Sequence, residues 1–144
     1  MRLSEEIVSI INTLAKNSGH LSPAALADSI SFENYEEALA ECEGEGLVAK
    51  NDRGEIELTH KGRELADEIQ RRLISADQIN LGEESKIVFV SSRNYARFQK
   101  LSSLGFAPGI PIKVQQKFPS FVIQCEETQI ALETEIARDI FVWR

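Results

Sequence analysis

An α+β fold in two parts, an N-terminal winged helix-turn-helix followed by a C-terminal small β-barrel, is predicted by three features of the 144-residue sequence. Residues 4–75 space their apolar side chains in helical order and then in hairpin order. The segment LSSLGFAPGIPIKV, Leu101–Val114, passes from a helix end through Gly105 and Pro108-Gly109 into the alternating Ile110, Ile112 and Val114. The charge divides with the elements. Residues 1–80 hold eight Lys/Arg and sixteen Asp/Glu and residues 81–144 hold eight and seven, so nets of −8 and +1 make up the overall −7. The expected domains are residues 1–78 and 79–144, with the seam at QINLGEES, Gln78–Ser85.

Composition excludes several classes. The longest apolar run, Ile87–Val90, is far short of the ~18 residues of a membrane span. Glu5 and Glu6 stand where a secretory signal needs apolar residues, so a cytoplasmic chain is expected. Cys42 and Cys125 are far apart and form neither a disulfide framework nor a CxxC motif. No nucleophile–base pair, GxxxxGK[ST] loop or carboxylate–His cluster is present, and the expectation is a protein without catalytic residues, not an enzyme. Gly44-x-Gly46 follows a helix, so it reads as a stop signal rather than a phosphate cradle.

In the first half, Ile7, Ile10, Ile11 and Leu14 recur at helical spacing, which predicts a helix over 4–16 with Ser4 as N-cap. Ser22 and Pro23 start a short second helix that continues to Ile30. A third helix, Glu33–Glu45, turns Tyr35, Ala38, Leu39 and Cys42 to one face, and Gly44 and Gly46 end it. Strands at Leu47–Lys50 and Ile56–Thr59 flank the turn Asn51-Asp52-Arg53-Gly54. A fourth helix is expected over 61–76, with Leu65, Ile69, Leu73 and Ala76 inward. Helix, helix-turn-helix, hairpin and helix is the winged-helix order, in which the third helix enters the DNA major groove.

The segment GLVAKNDRGEIELTHKGRELADEI resembles the wing and following helix of the DtxR/MntR metalloregulators, over most of residues 4–75. The resemblance implies DNA binding and metal ligands, and the residues depart from both. Glu33, Glu36, Glu37, Glu41, Glu43 and Glu45 load the third helix, which contains no Lys or Arg. DNA carries about one negative charge per 1.7 Å and is bound largely through Lys/Arg, so this helix opposes it. The remaining phosphate contacts would be Lys50 and Arg53 in the wing, with Lys61 and Arg63 behind it. Three readings of the acidic face stand: a solvated surface, a surface for a basic protein partner, or a DNA contact. The family's ligand positions fall on Glu6, Ser9 and Leu73, and its dimerisation region is absent. His20 and His60 have no second donor at ligand spacing. No metal ligand is therefore assigned; Fe²⁺ or Mn²⁺ enters only through the resemblance.

In the second half a strand at Lys86–Val90, a helix over 93–104, strands at Ile110–Gln116, Phe121–Cys125 and Gln129–Leu132, a helical turn at 135–137 and a last strand at Ile140–Trp143 describe a small SH3-like barrel. Tyr95, Phe98, Leu101 and Leu104 share a helix face. The expected core is Ile87, Phe89, Leu104, Phe106, Ile112, Val114, Val122, Ile130, Leu132, Ile140 and Val142. The run LxxLGFxPGxxIxV from Leu101 to Val114, then Ile130-Ala131-Leu132, then AxxIxV from Ala137 resembles the FeoA domain over residues 81–144. That family implies a regulatory or docking module, found as a partner of the ferrous-iron transporter FeoB and as the C-terminal domain of DtxR-type repressors. The segment KFPSF replaces the family's glycine-rich loop. Phe118 and Phe121 there are a contact patch, unless one of them packs on the barrel.

Together these features predict a cytoplasmic regulator or adaptor of ferrous-iron or related metal handling. It would act through protein contacts of Glu33, Glu36, Glu37, Glu41, Phe118 and Phe121, with a FeoB-type cytoplasmic domain as the partner. The alternative is a DtxR-like metal-responsive DNA-binding regulator using Lys50, Arg53, Lys61 and Arg63. A homodimer through the winged helix is a third possibility.

Overall fold

The structure, a computed structural model, describes residues 2–144 and divides into two compact units, one ending at Arg71 and the other beginning at Arg72. In the first, α1 (Glu5–Lys16) starts where the Ser4 hydroxyl accepts from the Ile7 amide at 3.3 Å, and it buries Ile7, Val8, Ile10, Ile11 and Leu14. Ser18 and Gly19, at φ 64° and 92°, reverse the chain into the two-residue strand β1 (His20–Leu21), for which the sequence pattern gives no signal. Ser22 caps α2 (Pro23–Ser29), and Leu26 is its buried residue.

Helix α3 (Tyr35–Gly44) is shorter than the expected 33–45, because Glu33 and Asn34 form the turn before it and Glu45 is its C-cap. Strands β2 (Val48–Lys50) and β3 (Ile56–Leu58) form the wing, and β1 adds to it in the antiparallel order β1-β3-β2. Asn51 Oδ1 closes the turn by accepting from the Arg53 and Glu55 amides at 2.9 and 3.0 Å. Helix α4 (His60–Arg72) is tied to the wing at its first turn. The Thr59 hydroxyl accepts from the Gly62 amide at 3.1 Å and donates to the Gly46 carbonyl. A Cβ on Gly62 would lie 2.0 Å from the Leu47 carbonyl oxygen, so only glycine fits there.

The expected fourth helix over 61–76 is cut short at Arg72. Leu73–Ser75 is instead strand β4, paired with Trp143, Val142 and Phe141, and Leu73 and Ala76 therefore lie outside the helix. Arg72 and Arg144 clamp this pairing through Arg144 N to Arg72 O and Arg72 Nε to Arg144 O, both 2.7 Å. The division between units accordingly falls ahead of the 78/79 boundary read from the sequence, and the barrel gains a strand.

The C-terminal unit continues with a 3₁₀ turn (Ala76–Gln78), β5 (Glu84–Val90), α5 (Tyr95–Ser103), β6 (Pro111–Gln116), β7 (Phe121–Cys125), β8 (Thr128–Leu132), α6 (Thr134–Ala137) and β9 (Ile140–Trp143). All six strands pair antiparallel in the order β4-β9-β5-β6-β7-β8. The LGFAPG turn works as its residues predict. Gly105 and Gly109 take φ 98° and 87°, Phe106 is buried, and Gly109 N donates to Ile87 O at 2.8 Å, docking the turn on β5.

Two expected core positions change. Leu104 is the C-cap of α5 and is 39% exposed, while Leu101 fills the core from that helix. Val122 is half-buried, and Phe121, Ile123 and Cys125 point inward from β7. A register shift between Val114 and Gln116 on the neighbouring β6 marks the irregularity beside this strand.

Candidate interaction surfaces

Helix α3 faces its own core with Ala38 and Cys42, and its outer side carries Glu36, Glu37, Glu41 and Glu43, all exposed; Glu33 is exposed in the turn before it. Burial pushes the Cys42 thiol up to about 11, helped by the charges of Glu41 and Glu43. The Tyr35 hydroxyl is raised by burial and then by Glu36 and Glu43. A helix surface with this field repels phosphate and attracts cationic groups.

Two of the four cations expected to compensate, Lys61 and Arg53, make polar contacts within the unit. Lys61 Nζ donates to the Glu45 carbonyl at 2.8 Å, neutralising the C-terminal end of α3. Arg53 Nε pairs with Glu55 Oε1 at 3.1 Å. The Arg63 guanidinium lies over Gly19, where an added Cβ would meet its Nη2 at 3.5 Å. Lys50 is exposed at the end of β2. The wing tip is itself organised around an acid. Glu55 accepts from Asn51 Nδ2 at 3.2 Å and lies 3.2 Å from His20 Nδ1, and these contacts with Arg53 hold its carboxyl below the usual range, the Asn51 hydrogen bond first.

On the barrel, Phe118 is 88% exposed, whereas Phe121 is 4% exposed in the core, so the expected exposed pair is a single residue. The base of that loop is held by Lys117 Nζ on the Asp77 carbonyl at 3.5 Å, and Asp77 Oδ2 also meets Arg138 Nε at 3.4 Å. Tyr95, which by spacing shares a helix face with Phe98, Leu101 and Leu104, is 65% exposed and stacks on Phe98 at 6.4 Å between centroids. The same turn of α5 is fastened on its inner side. Arg97 Nη2 donates to Asp139 Oδ1 at 3.2 Å, and its Nε lies 2.9 Å from Oδ2 as an ion-pair contact on a largely buried carboxylate.

Among the described residues no three His, Cys, Asp or Glu side chains gather where they could hold a metal ion. Of the regulator-type ligand positions, Glu6 and Ser9 lie on α1 and Leu73 lies in β4, which is not a ligand set. No helix is long and apolar enough to cross a membrane among the described residues.

Residues 74–144 match the FeoA domain family. No curated protein matches the chain. The solved structure of Stenotrophomonas maltophilia FeoA in complex with zinc is 23% identical, over 48% of this chain and 88% of its own, with a TM-score of 0.45. T. acidophilum IdeR is 14% identical over 99% of both chains, with a TM-score of 0.47. A manganese-dependent transcriptional repressor in complex with manganese is 13% identical, over 95% of this chain and 99% of its own, with a TM-score of 0.47.

Proposed function

We propose, from the premise that the chain carries a FeoA domain over residues 74–144 behind a DtxR/MntR-like winged helix, that it is a cytoplasmic regulator or adaptor of ferrous-iron or related metal handling. It acts by docking on other proteins, the cytoplasmic domain of a FeoB-type transporter foremost. The FeoA match over residues 74–144, which hold all of the barrel sheet but the first residue of β4, carries this reading. The winged helix supports it by what it exposes. Glu33, Glu36, Glu37 and Glu41 offer charge to a basic protein surface, and Phe118 offers an apolar contact on the barrel.

The test is retention of a purified FeoB-type cytoplasmic domain on the immobilised full chain. Retention is expected, and the joint reversal Glu36→Lys, Glu37→Lys and Glu41→Lys is expected to weaken it without lowering the melting temperature. No retention, or retention indifferent to the reversal, counts against the reading.

The helix order favours a second reading, a metal-responsive DNA-binding regulator in which Lys50, Arg53, Lys61 and Arg63 meet phosphates. It requires strongly salt-dependent binding to DNA, with or without Fe²⁺ or Mn²⁺, that Lys50→Ala weakens. With Lys61 and Arg53 engaged internally, no such binding is expected.

A further inference from the structure

Among the described residues, the free edge of the barrel sheet is the one long strand edge with no charge, proline or bulge within the strand. Strand β8 ends the order β4-β9-β5-β6-β7-β8, and its described ladder is with β7 alone. The other sheet ends are short: β1 has two residues, β2 three with Lys50 last, and β4 three. β8 spans five, Thr128–Leu132, with no charge, proline or bulge. Native edges of that length are normally blunted by one of these.

The register states which groups are free. Cys125 and Thr128 close a two-residue turn, and the pairs run Gln124↔Gln129, Ile123↔Ile130, Val122↔Ala131 and Phe121↔Leu132. In such a hairpin the closing pair and every second pair exchange hydrogen bonds. Thr128, Ile130 and Leu132 therefore bond inward to β7, and the amides and carbonyls of Gln129 and Ala131 point outward. Both residues are exposed.

The surroundings select the occupant. Glu126 and Glu127 stand at one end of β8, Glu133 and Glu135 at the other, all exposed, and residues 126–137 contain no Lys or Arg. A second copy fits badly. Antiparallel pairing of two β8 strands through Gln129 and Ala131 places Glu127 of each opposite Glu133 of the other, a like-charge arrangement that opposes association. An extended segment with an uncharged centre and a Lys or Arg at each end meets both the hydrogen-bonding groups and the charge.

We propose that β8 is a strand-addition site, taking an extended partner segment with cationic ends through the backbone groups of Gln129 and Ala131. This rests on the reading that the barrel works by protein contacts, and it names the contact.

The probe is a synthetic strand, KTVTVTK, added to the full chain, with amide hydrogen exchange read residue by residue. Exchange at Gln129 and Ala131 is expected to slow about tenfold at nine-tenths occupancy, because it then proceeds from the free fraction. The glutamate-flanked ETVTVTE should give no slowing, and Ala131→Pro, which removes an outward amide that β7 does not use, should abolish the effect of KTVTVTK. If that variant unfolds, KTVTVTK methylated on alternate backbone nitrogens, used with the unaltered chain, must fail to protect. No protection by KTVTVTK, equal protection by both peptides, or protection that rises with protein concentration alone would overturn the proposal. Loss of FeoB-type retention with peptide binding intact would sink only the choice of partner.

Discussion

Gly62 is where sequence and packing are tied most closely, because the first turn of α4 presses its backbone onto the start of the wing. With the Leu47 carbonyl oxygen 2.0 Å from where a Cβ would stand, Gly62→Ala forces backbone apart rather than a side chain aside. A loss of about 1–3 kcal/mol or more is expected, as in overpacked cores, seen as a lower urea midpoint with an unchanged slope. Cys42 supplies a second prediction at this scale. Its thiol is fully buried and held up to about 11, so alkylation by iodoacetamide at pH 8 in the folded chain should be slower than for a free thiol by at least about a hundredfold. Peptide mapping of the labelled site checks this, and fast labelling of native Cys42 would mean that α3 opens readily. The thiol's burial was legible from its place beside Ala38 and Leu39. The glycine's role was not, since nothing in LTHKGRELA says which backbone it will meet.

At the scale of elements, the sequence located them well where one spacing dominated and misplaced faces where two competed. Helix α1 has a single apolar stripe and a Ser cap, and it runs as expected. Strand β7 reads FVIQC, with three consecutive apolar residues, so alternation alone cannot choose between Val122 and the Phe121–Ile123–Cys125 set. The core resolves it by taking the larger set, and Phe121 with it. Helix α4 failed for a different reason. Leu73 and Ala76 continue the helical stripe of Leu65 and Ile69, but pairing with β9, invisible to local periodicity, takes Leu73–Ser75 into the sheet. The wing gives this scale its prediction. Glu55 is lowered below the carboxylate range, first by Asn51, so its ionised form stabilises the hairpin above the ordinary glutamate pKa and that contribution is lost as pH falls through the folded value. Glu55→Gln should therefore lower the melting temperature at neutral pH, and the deficit should shrink on acidification below about pH 4. A deficit independent of pH would assign the effect to the amide's shape rather than to charge.

For the whole molecule, the charge asymmetry and the two-part reading came from the sequence, but the composition shift at Gln78–Ser85 marks a change of surface rather than the end of a folding unit. The C-terminal unit begins at Arg72 because its sheet needs β4: Leu73, Ile74 and Ser75 cover the outer edge of β9, Arg72 stacks over the Trp143 ring at 5.1 Å, and Ala76 is fully buried in the barrel core. A fragment of residues 72–144 keeps all of these and should unfold in one cooperative transition. A fragment of residues 79–144 keeps Ile79 but loses β4 and Ala76, and it leaves the backbone groups of β9 open along one side. Burial of Ile74 and Ala76 together is worth about 2 kcal/mol, which for a domain of this size corresponds to a melting temperature lower by about 10 °C. Calorimetry on the two fragments decides the point. Equal melting temperatures would place the functional boundary at the charge seam and make β4 an appendage, whereas the expected gap makes the strand part of the barrel that presents β8 on its opposite edge.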